Sequence, residues 1–571
     1  MGGYKITDSL NADLQTFKAY YTSYINKVIG EEAFRAHRVR FGILEQRERN
    51  VHMCVLRLTG GIVSPAQLKR IAELAAIHAD ASLHITMRGG LQLHDVMLGD
   101  LVDLMEAFHL AGVTGRGAGG NGVRNINVDA LSGVAEDEIF DVTPHAIAFS
   151  EKIFDQKDSY NIPRKFKISF SASEADRGET IFADVGFMAA TREGKRGFKT
   201  LVGGGMGGNS KIARLFADFI PETEPFLYAQ AIKEVFNLRG NRQDKYRARL
   251  RFLIDDMGYD NFRAEVSRAI EKLRAAGSYE IAPETLPEPP SLAGEPPCRA
   301  PSGEEAIYIK RYARPQRQKG YFYAKIPLFC GDIKSKEAIA LAEALEKIAA
   351  GREVMRLGMR QNIILRNLRL SEILDLYPVI KEAALLADRP AAIGDVVVCT
   401  GVPTCQLGLT NSRGAIHAIG KALLKSRIDL ETLQGININL SGCSNACGRH
   451  LSADLGFYAK LSRKGEMEYP AYVIVAGAKF GKDPAFAREI AEVSAYALPE
   501  FCVELLAHWK DSKEKFANFT EWVDNGGERF IAELAAKHSF VPDFYDDKNP
   551  YFDYGAKELF SLKDRREGEE L

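Results

Sequence analysis

The stretches SFSASEADRGETIFADVGFMA (169–189) and NLSGCSNACGRHLSADLGFYA (439–459) decide the fold of this chain because each repeats the other. The run Ala183–Phe187 recurs as Ala453–Phe457, 270 residues later. At the same shift, two residues of the first copy correspond to cysteines of the second, Ser173 to Cys443 and Arg177 to Cys447. Self-similarity at a fixed shift indicates a duplicated structural unit.

A second, weaker repeat lies upstream of each copy. The segments VHMCVLRLTGG, SPAQLKRIAELAAIHA, LHITMRGGLQLHDV and GDLVDLMEAFHLAG have the patterns of a strand, a helix, a strand and a helix, and residues 320–387 repeat that order. Ser64 and Pro65 predict the N-cap and first residue of the first helix. These segments predict two ferredoxin-like half-domains that pair across a pseudo-twofold axis into one sheet domain.

The chain divides near its middle at residues 282–303, which hold seven of the 22 prolines. Such a segment is expected to be extended, because proline fixes φ and removes a backbone donor. We therefore predict a duplicated α+β architecture in seven parts: an N-terminal arm (1–45), a first half-domain (46–125), a first α+β domain (126–280), a proline-rich linker (281–318), a second half-domain (319–390), a second α+β domain (391–490) and a helical C-terminal segment with a polar tail (491–571).

The composition bounds the class of protein. A chain of 571 residues is too long for one core, and its net charge of −1 provides no global field to attract nucleic acid or a membrane surface. No stretch approaches 18 uninterrupted apolar residues, so we expect no membrane span. Four of the eight cysteines are isolated, which suits a reducing, cytoplasmic location.

The other four cysteines form a metal-ligand pattern, C-x5-C and C-x3-C separated by 37 residues: Cys399, Cys405, Cys443 and Cys447. Zinc sites use shorter C-x2–4-C pairs, whereas a [4Fe–4S] cluster takes four thiolates from irregular loops. The small residues around these cysteines would let backbone N–H groups approach the sulfurs. The pattern favours a [4Fe–4S] cluster, with zinc or unligated thiols as the alternatives.

The segment SGCSNACGRHLSADLGF resembles the signature of the sirohaem-containing sulfite and nitrite reductases, and the upstream C-x5-C pair matches as well. The resemblance covers roughly residues 40–490, including the duplication. It implies that Cys447 bridges the cluster to the sirohaem iron, while Cys399, Cys405 and Cys443 hold the cluster alone. A bridging thiolate would couple the two centres and leave the opposite axial position open for substrate.

Three basic segments, TMRGG, NGVRNINV and NIPRKFKIS, match positions that line the anion pocket of that family: Arg88, Arg124, Lys165 and Lys167. The two lysines alternate with apolar residues, so they point to one face of a strand. Like charges about 4 Å apart repel by about 4 kcal/mol at an effective dielectric of 20, so a bound anion would be needed to compensate them. The alternative for any one of them is a solvated surface position.

Two further segments are expected near the macrocycle. GGGMGG (203–208) resembles a dinucleotide-binding loop, but no acidic residue about 20 positions on lies at the end of a second parallel strand, and the loop occupies the repeat position of VAGAKFG. The family resemblance instead places Gly204 and Gly205 beside the sirohaem. Gln361 and Asn362, in the counterpart of MRGGLQL, are expected to face it too.

The resulting hypothesis is a six-electron reduction of sulfite to sulfide, with nitrite reduction to ammonia as the alternative. The resemblance implies lysine at the position of Lys167 in sulfite reducers and asparagine in nitrite reducers, whereas the CTG after Cys399 is more typical of nitrite reductases. No flavin or nicotinamide module is evident, so electrons must come from ferredoxin or another external donor. The alternative from another class is a non-catalytic Fe–S or zinc protein.

Overall fold

The computed structural model describes residues 3–290, 298–349, 351–384, 395–481 and 483–561. In these residues the strands form four sheets, two for each half of the duplicated chain. None of the described helices is both long enough and apolar enough to cross a membrane.

The N-terminal arm and first half-domain share one core. Their helices are α1 (Asp8–Ile25), α2 (Glu31–Arg38), α3 (Pro65–His78) and α4 (Leu101–Leu110), and their strands are β1 (Ile43–Glu45), β2 (Val51–Leu56), β3 (Ser82–Ile85) and β4 (Leu91–Met97). Phe17 of α1 and Phe34 of α2 are buried in that core, so the arm is part of the domain. Ser64 caps α3 through a capping box with Gln67, which confirms the predicted start of this helix.

The first α+β domain contains one five-stranded mixed sheet covered by helices. Its strands are β5 (Asn127–Val128), β6 (Ile168–Ser171), β7 (Val185–Arg192), β8 (Lys195–Val202) and β9 (Arg214–Pro221), and its helices are α5 (Thr143–Phe154), α6 (Pro225–Arg239), α7 (Leu250–Met257) and α8 (Tyr259–Ala276). The strands lie in the order in which they occur in the chain; β5, β6 and β7 are parallel and the later pairs antiparallel.

The second half-domain repeats the first. It contains α9 (Gly303–Tyr312), β10 (Ala313–Pro315), β11 (Tyr321–Pro327), β12 (Asp332–Lys334), α10 (Ser335–Ala349), β13 (Met355–Gly358), β14 (Asn362–Arg369) and α11 (Leu370–Ala384). Strand β12 leaves its own half and pairs with β3, giving sheets ordered β1-β2-β4-β3-β12 and β10-β11-β14-β13. The two half-domains therefore form two sheets over one shared hydrophobic core, and the exchanged strand joins them.

The second α+β domain has the same sheet as the first. Its elements are β15 (Val397–Val398), α12 (Ser412–Lys425), β16 (Ile438–Ser441), β17 (Leu455–Lys464), β18 (Met467–Ala476), β19 (Arg488–Ser494), α13 (Leu498–Ser512), α14 (Phe519–Trp522) and α15 (Glu528–Lys537). Leu505 and Trp509 of α13 share a core with Ile474 of β18. The C-terminal helices are therefore part of this domain, and β19 crosses the boundary predicted at residue 490.

The duplication is visible in backbone geometry as well as in sequence. Gly178 and Gly448 occupy equivalent positions, and a Cβ on either would lie 2.0 Å from a carbonyl oxygen of the preceding strand. The residues after them, Glu179 and Arg449, both adopt a left-handed conformation with φ 54°. The same tight turn is therefore built twice, once in each α+β domain.

The proline-rich linker is shorter than predicted. Residues 281–290 contain no helix or strand, but α9 and β10 occupy 303–315 because that part of the predicted linker contains no proline before Pro315. Residues 291–297, the predicted boundary between 390 and 391, and the end of the polar tail (562–571) lie outside the described residues.

Candidate functional site

The four patterned cysteines come together at one edge of the second α+β sheet. Cys399 directly follows β15, and Cys443 and Cys447 follow β16, its parallel neighbour. Since the carboxyl ends of adjacent parallel strands meet at one edge, both cysteine loops meet there. Cys405 completes the set, and all four line a cavity of about 260 Å³.

The four cysteines are close enough to affect one another electrostatically; Cys443 is buried, Cys399 and Cys405 are partly buried, and Cys447 is exposed in the cavity. Burial, and then the neighbouring Cys447, raises the pKa of Cys405 to about 11 and that of Cys443 to about 12. Cys399 accepts a hydrogen bond from the Gly442 N–H at 3.0 Å, but burial still raises the pKa of its thiol. A bound cation would offset this repulsion and favour the thiolates.

The cysteines do not form a single-ion site. No three His, Cys, Asp or Glu side chains in the described part of the chain converge closely enough to hold one metal ion. A zinc ion with Zn–S bonds of about 2.3 Å would hold its sulfurs roughly 3.8 Å apart. In a [4Fe–4S] cluster each thiolate binds a different iron, so the four sulfurs need not converge on one ion.

The four basic residues singled out by the sequence line a second cavity of about 200 Å³: Arg88, Arg124, Lys165 and Lys167. This cavity adjoins the first, because Lys165, Arg249 and Cys447 line both of them. Cys447 therefore lies between three other cysteines on one side and a group of cations on the other. The roles predicted for these residues remain predictions.

Local structure fixes the direction of each cation. Arg88 lies in the turn between β3 and β4, and its Nη2 donates to the Asn125 carbonyl at 2.5 Å. The Nη1 of Arg124 donates to the carbonyls of Gly119 and Gly122 at 3.1 and 3.2 Å. Lys165 and Lys167 lie in the segment that leads directly into β6, and the sheet holds that strand in place.

Burial and mutual repulsion lower the pKa of every one of these cations. Burial, with Arg449 next, lowers the pKa of Arg88 to about 9, and burial with Arg249 lowers that of Lys165 to about 7. The pKa values of Arg124 and Lys167 are also well below their usual range, mainly through burial. The cavity is therefore poised to bind an anion, which would compensate these charges.

Sequence reasoning missed four charged residues that line the second cavity: Arg57, Glu179, Arg249 and Arg449. Arg249 donates from Nη2 to both carboxylate oxygens of Asp184, at 3.1 and 2.9 Å, and Arg449 forms an ion pair with Glu179. Arg449 lies inside the repeated signature, which could have indicated it. Arg249 is 65 residues from its partner, and no local pattern marks it.

In the first half, an ion pair occupies the repeat positions of two of the four patterned cysteines. Asp129 and Arg177 stand at the repeat positions of Cys399 and Cys447, 270 residues earlier. Arg177 Nε donates to Asp129 at 2.9 Å, and its two Nη groups donate to Asp137 at 2.8 and 2.7 Å. This half of the duplication holds its loops together with charges where the other half has thiols.

Two predicted macrocycle contacts have other partners. The amide oxygen of Gln361 accepts the Val398 N–H at 2.7 Å, and its Nε2 lies 3.3 Å from His84 Nε2. Neither Gln361 nor Asn362 lines either cavity. The macrocycle contacts predicted for Gln361 and Asn362 stay predictions; Gln361 is fully buried and holds the strand that precedes Cys399.

The glycine loop reaches the cysteine cavity at residues 206–208. A Cβ on Gly204 would lie 2.4 Å from the Ile181 carbonyl oxygen, so this glycine is needed for packing. Gly205, with φ 155°, packs against the guanidinium of Arg251. Met206, Gly207 and Gly208 line the cysteine cavity, and the sirohaem contacts predicted for Gly204 and Gly205 stay predictions.

Comparison with known proteins agrees with the duplicated arrangement. The family model described as the nitrite and sulphite reductase 4Fe-4S domain matches residues 119–273 and 391–540, more than half of the chain. The model of the nitrite/sulfite reductase ferredoxin-like half domain matches residues 44–111 and 314–383.

Curated relatives align over most of their length. The assimilatory ferredoxin-dependent nitrite reductase of Haloferax mediterranei is 26% identical over 554 residues, covering 89% of this chain and 90% of that protein. A ferredoxin–nitrite reductase of Synechococcus elongatus is 27% identical and covers 80% of this chain and 85% of its own. The Mycobacterium tuberculosis NirA structure has the same fold, with a TM-score of 0.77 and 20% identity over 91% of this chain and 95% of that one.

Proposed function

Because this chain belongs to the nitrite and sulphite reductase family, we propose that it catalyses the six-electron reduction of nitrite to ammonia. Its cofactors are sirohaem and a [4Fe–4S] cluster. The observation that supports the proposal most directly is the position of Cys447, which lines both the cysteine cavity and the cationic cavity. Nitrite is preferred to sulfite because the named relatives with which the chain aligns are nitrite reductases.

The residues of the site fit these cofactors. Several buried guanidinium nitrogens that belong to cavity-lining side chains have no hydrogen-bond partner among the described residues: Nε of Arg88, Nε of Arg249, and Nε and Nη1 of Arg251. Donors of this kind are costly to bury unsatisfied, and the carboxylates of a tetrapyrrole would satisfy them. Cys399, Cys405 and Cys443 would hold the cluster, and Cys447 would bridge it to the sirohaem. When bound, the coupled centre would supply electrons and an iron that binds the anion.

The protein side chains would position the anion and supply protons. Arg88 and Arg124 are fixed by backbone carbonyls, so they can present guanidinium N–H groups to nitrite oxygens without reorganising. Lys165, whose pKa burial lowers to about 7, can give up a proton near neutral pH. Each departing oxygen needs protons, and a lysine with this pKa suits their delivery.

Sulfite reduction is the second candidate because Lys167 lines the same cavity. A lysine there adds a charge that suits the more highly charged sulfite dianion. The lysine at position 167 favours sulfite, whereas the named relatives favour nitrite. Sulfite is therefore the alternative substrate of the same centre.

Turnover with an artificial electron donor tests the choice of substrate. Purified protein with reduced methyl viologen is expected to consume nitrite faster than sulfite. Lys167→Asn should lower sulfite turnover by about 10²-fold, the usual effect of removing one anion-stabilising donor, and should lower nitrite turnover less. Lys195→Asn, on the exposed part of β8, serves as the control. Faster sulfite turnover by the unaltered enzyme would overturn the nitrite proposal.

Ferredoxin is the proposed electron donor, since the relatives are named ferredoxin-dependent. Reduced ferredoxin should support turnover without viologen. The alternative of a non-catalytic Fe–S or zinc protein is tested by the visible spectrum of the purified protein, because only a sirohaem enzyme shows tetrapyrrole bands.

A further inference from the structure

The turn between β1 and β2, in the first half of the chain, contacts the loop of the second half that carries Cys405. Arg47 donates from Nε to the carbonyl of Cys405 at 3.2 Å and from Nη2 to the carbonyl of Gly408 at 3.1 Å. In return, Gln406 Nε2 donates to the carbonyl of Gln46 at 2.8 Å. Gln46 and Arg47, called the hairpin clamp below, thus hold the segment 405–408 by three hydrogen bonds.

The hairpin clamp is itself fixed to the first sheet. Gln46 Nε2 donates to Asp95 Oδ1 at 2.7 Å, and the Asp95 N–H donates back to Gln46 Oε1 at 3.0 Å. Gln46 is buried, and Asp95 lies on β4 in a left-handed conformation with φ 60°. A reciprocal pair of hydrogen bonds leaves the turn little freedom, so Arg47 extends from a rigid base.

The chain carries the same device a second time. Gln316 and Arg317 follow Gln46 and Arg47 by 270 residues. Gln316 Nε2 donates to Asn367 Oδ1 at 2.8 Å, and the Asn367 N–H donates back at 3.1 Å, as in the first copy. Arg317 Nε donates to the carbonyl of Gly133 at 3.0 Å.

The second copy of the clamp holds a loop that has no cysteines. Arg317 forms a 3.2 Å ion pair with Glu138, whose repeat counterpart is Gly408. The repeat counterpart of Cys405 is Ala135. The clamp is therefore a feature of the fold that occurs in both halves. Only the first copy contacts the backbone of a cysteine of the candidate cluster site.

We propose that Arg47 is a positioning residue for the iron–sulfur cluster. It fixes the backbone on both sides of Gln406, and so the direction of the Cys405 thiolate, and it places a positive charge at that edge of the cluster. Hydrogen bonds from a charged donor are among the stronger ones, and positive charge near a cluster favours its reduced state. The inference rests on the proposed function only in taking Cys405 as a cluster ligand.

Three variants of the holoenzyme test the proposal: Arg47→Met, Arg47→Lys and Arg317→Met. Arg47→Met should lose iron to a chelator about tenfold faster than the unaltered protein, because two charge-assisted hydrogen bonds to the cysteine loop are lost. Its cluster should also have a lower midpoint potential in a dye-mediated titration followed by electron paramagnetic resonance. Arg47→Lys keeps the charge and should restore the potential, while its iron loss stays faster than in the unaltered protein.

Arg317→Met is the matched control, since it breaks the same clamp where there is no cysteine. Because Arg317 also forms ion pairs with Glu138 and Glu288, this variant should lower the melting temperature at least as much as Arg47→Met does, with iron loss and midpoint potential unchanged. Equal effects of the two Met variants on iron loss and potential would overturn the proposal, as would an unchanged potential in Arg47→Met. These readouts need no turnover, so they are independent of whether nitrite is the substrate.

Discussion

Asp184→Asn tests whether the cationic cavity depends on its internal counter-charge. Asp184 is fully buried, and its two oxygens accept from Arg249 Nη2 at 3.1 and 2.9 Å. It also accepts the Lys167 N–H at 2.7 Å. An asparagine can still accept that N–H, but it leaves Arg249 buried without its partner. Breaking a buried ion pair in this way costs about 3–5 kcal/mol, which urea unfolding followed by circular dichroism should detect.

The duplication supplies the control for this experiment. Asp454 is the repeat counterpart of Asp184, and it accepts the Asn437 N–H at 2.8 Å and a hydrogen bond from Thr520 at 3.2 Å. Burial raises the pKa of Asp454, so a neutral side chain is better tolerated there. Asp454→Asn is expected to cost only about 1 kcal/mol. If Asp184→Asn costs no more than Asp454→Asn, the reasoning about the buried ion pair is refuted.

Three further predictions concern the site. Cys447→Ser should abolish the magnetic coupling between cluster and haem in electron paramagnetic resonance spectra and lower turnover, whereas persistent coupling would show that another group bridges them. Nitrite affinity, measured calorimetrically, should weaken as the pH rises above about 7, because Lys165 loses its proton there; Lys165→Arg should reduce that dependence, and a pH-independent affinity in the unaltered protein would contradict the assignment. Gln361→Leu should lower the free energy of unfolding by about 1–3 kcal/mol by leaving the buried Val398 N–H unsatisfied, and an unchanged denaturation midpoint would show that this hydrogen bond is dispensable.

The duplicated α+β architecture could be predicted because its signal is local and repeated. The run from Ala183 to Phe187 contains the start of β7 and the end of the tight turn before it. Only glycine fits at Gly186, where a Cβ would lie 2.5 Å from a carbonyl oxygen. The same constraint acts at Gly456, so the two copies kept a recognisable pattern. The grouping of the four cysteines could be predicted for a similar reason, because their spacing is visible within two short segments of the sequence.

The remaining features depend on contacts between distant segments. Gln361 lies in the turn between β13 and β14, as Gly89 lies in the turn between β3 and β4, and both adopt a left-handed conformation. The match between the two sequence segments suggested a shared role near the macrocycle. The hydrogen bond from the Val398 N–H to Gln361 could not be predicted, because no local pattern connects these two residues. Arg249 was missed because its counter-charge, Asp184, lies 65 residues earlier in the same domain, and pairing over such distances is not encoded in local periodicity.

The ion pair between Glu179 and Arg449 bears on how such a chain could have arisen. The two residues occupy the same position in the two repeats, so they meet on the pseudo-twofold axis itself. In a symmetric dimer of a half-length ancestor, every residue on the axis would face its own copy, and two glutamates or two arginines would repel each other there. Opposite charges at this point require that the two halves be encoded by different sequences, so this contact postdates the duplication.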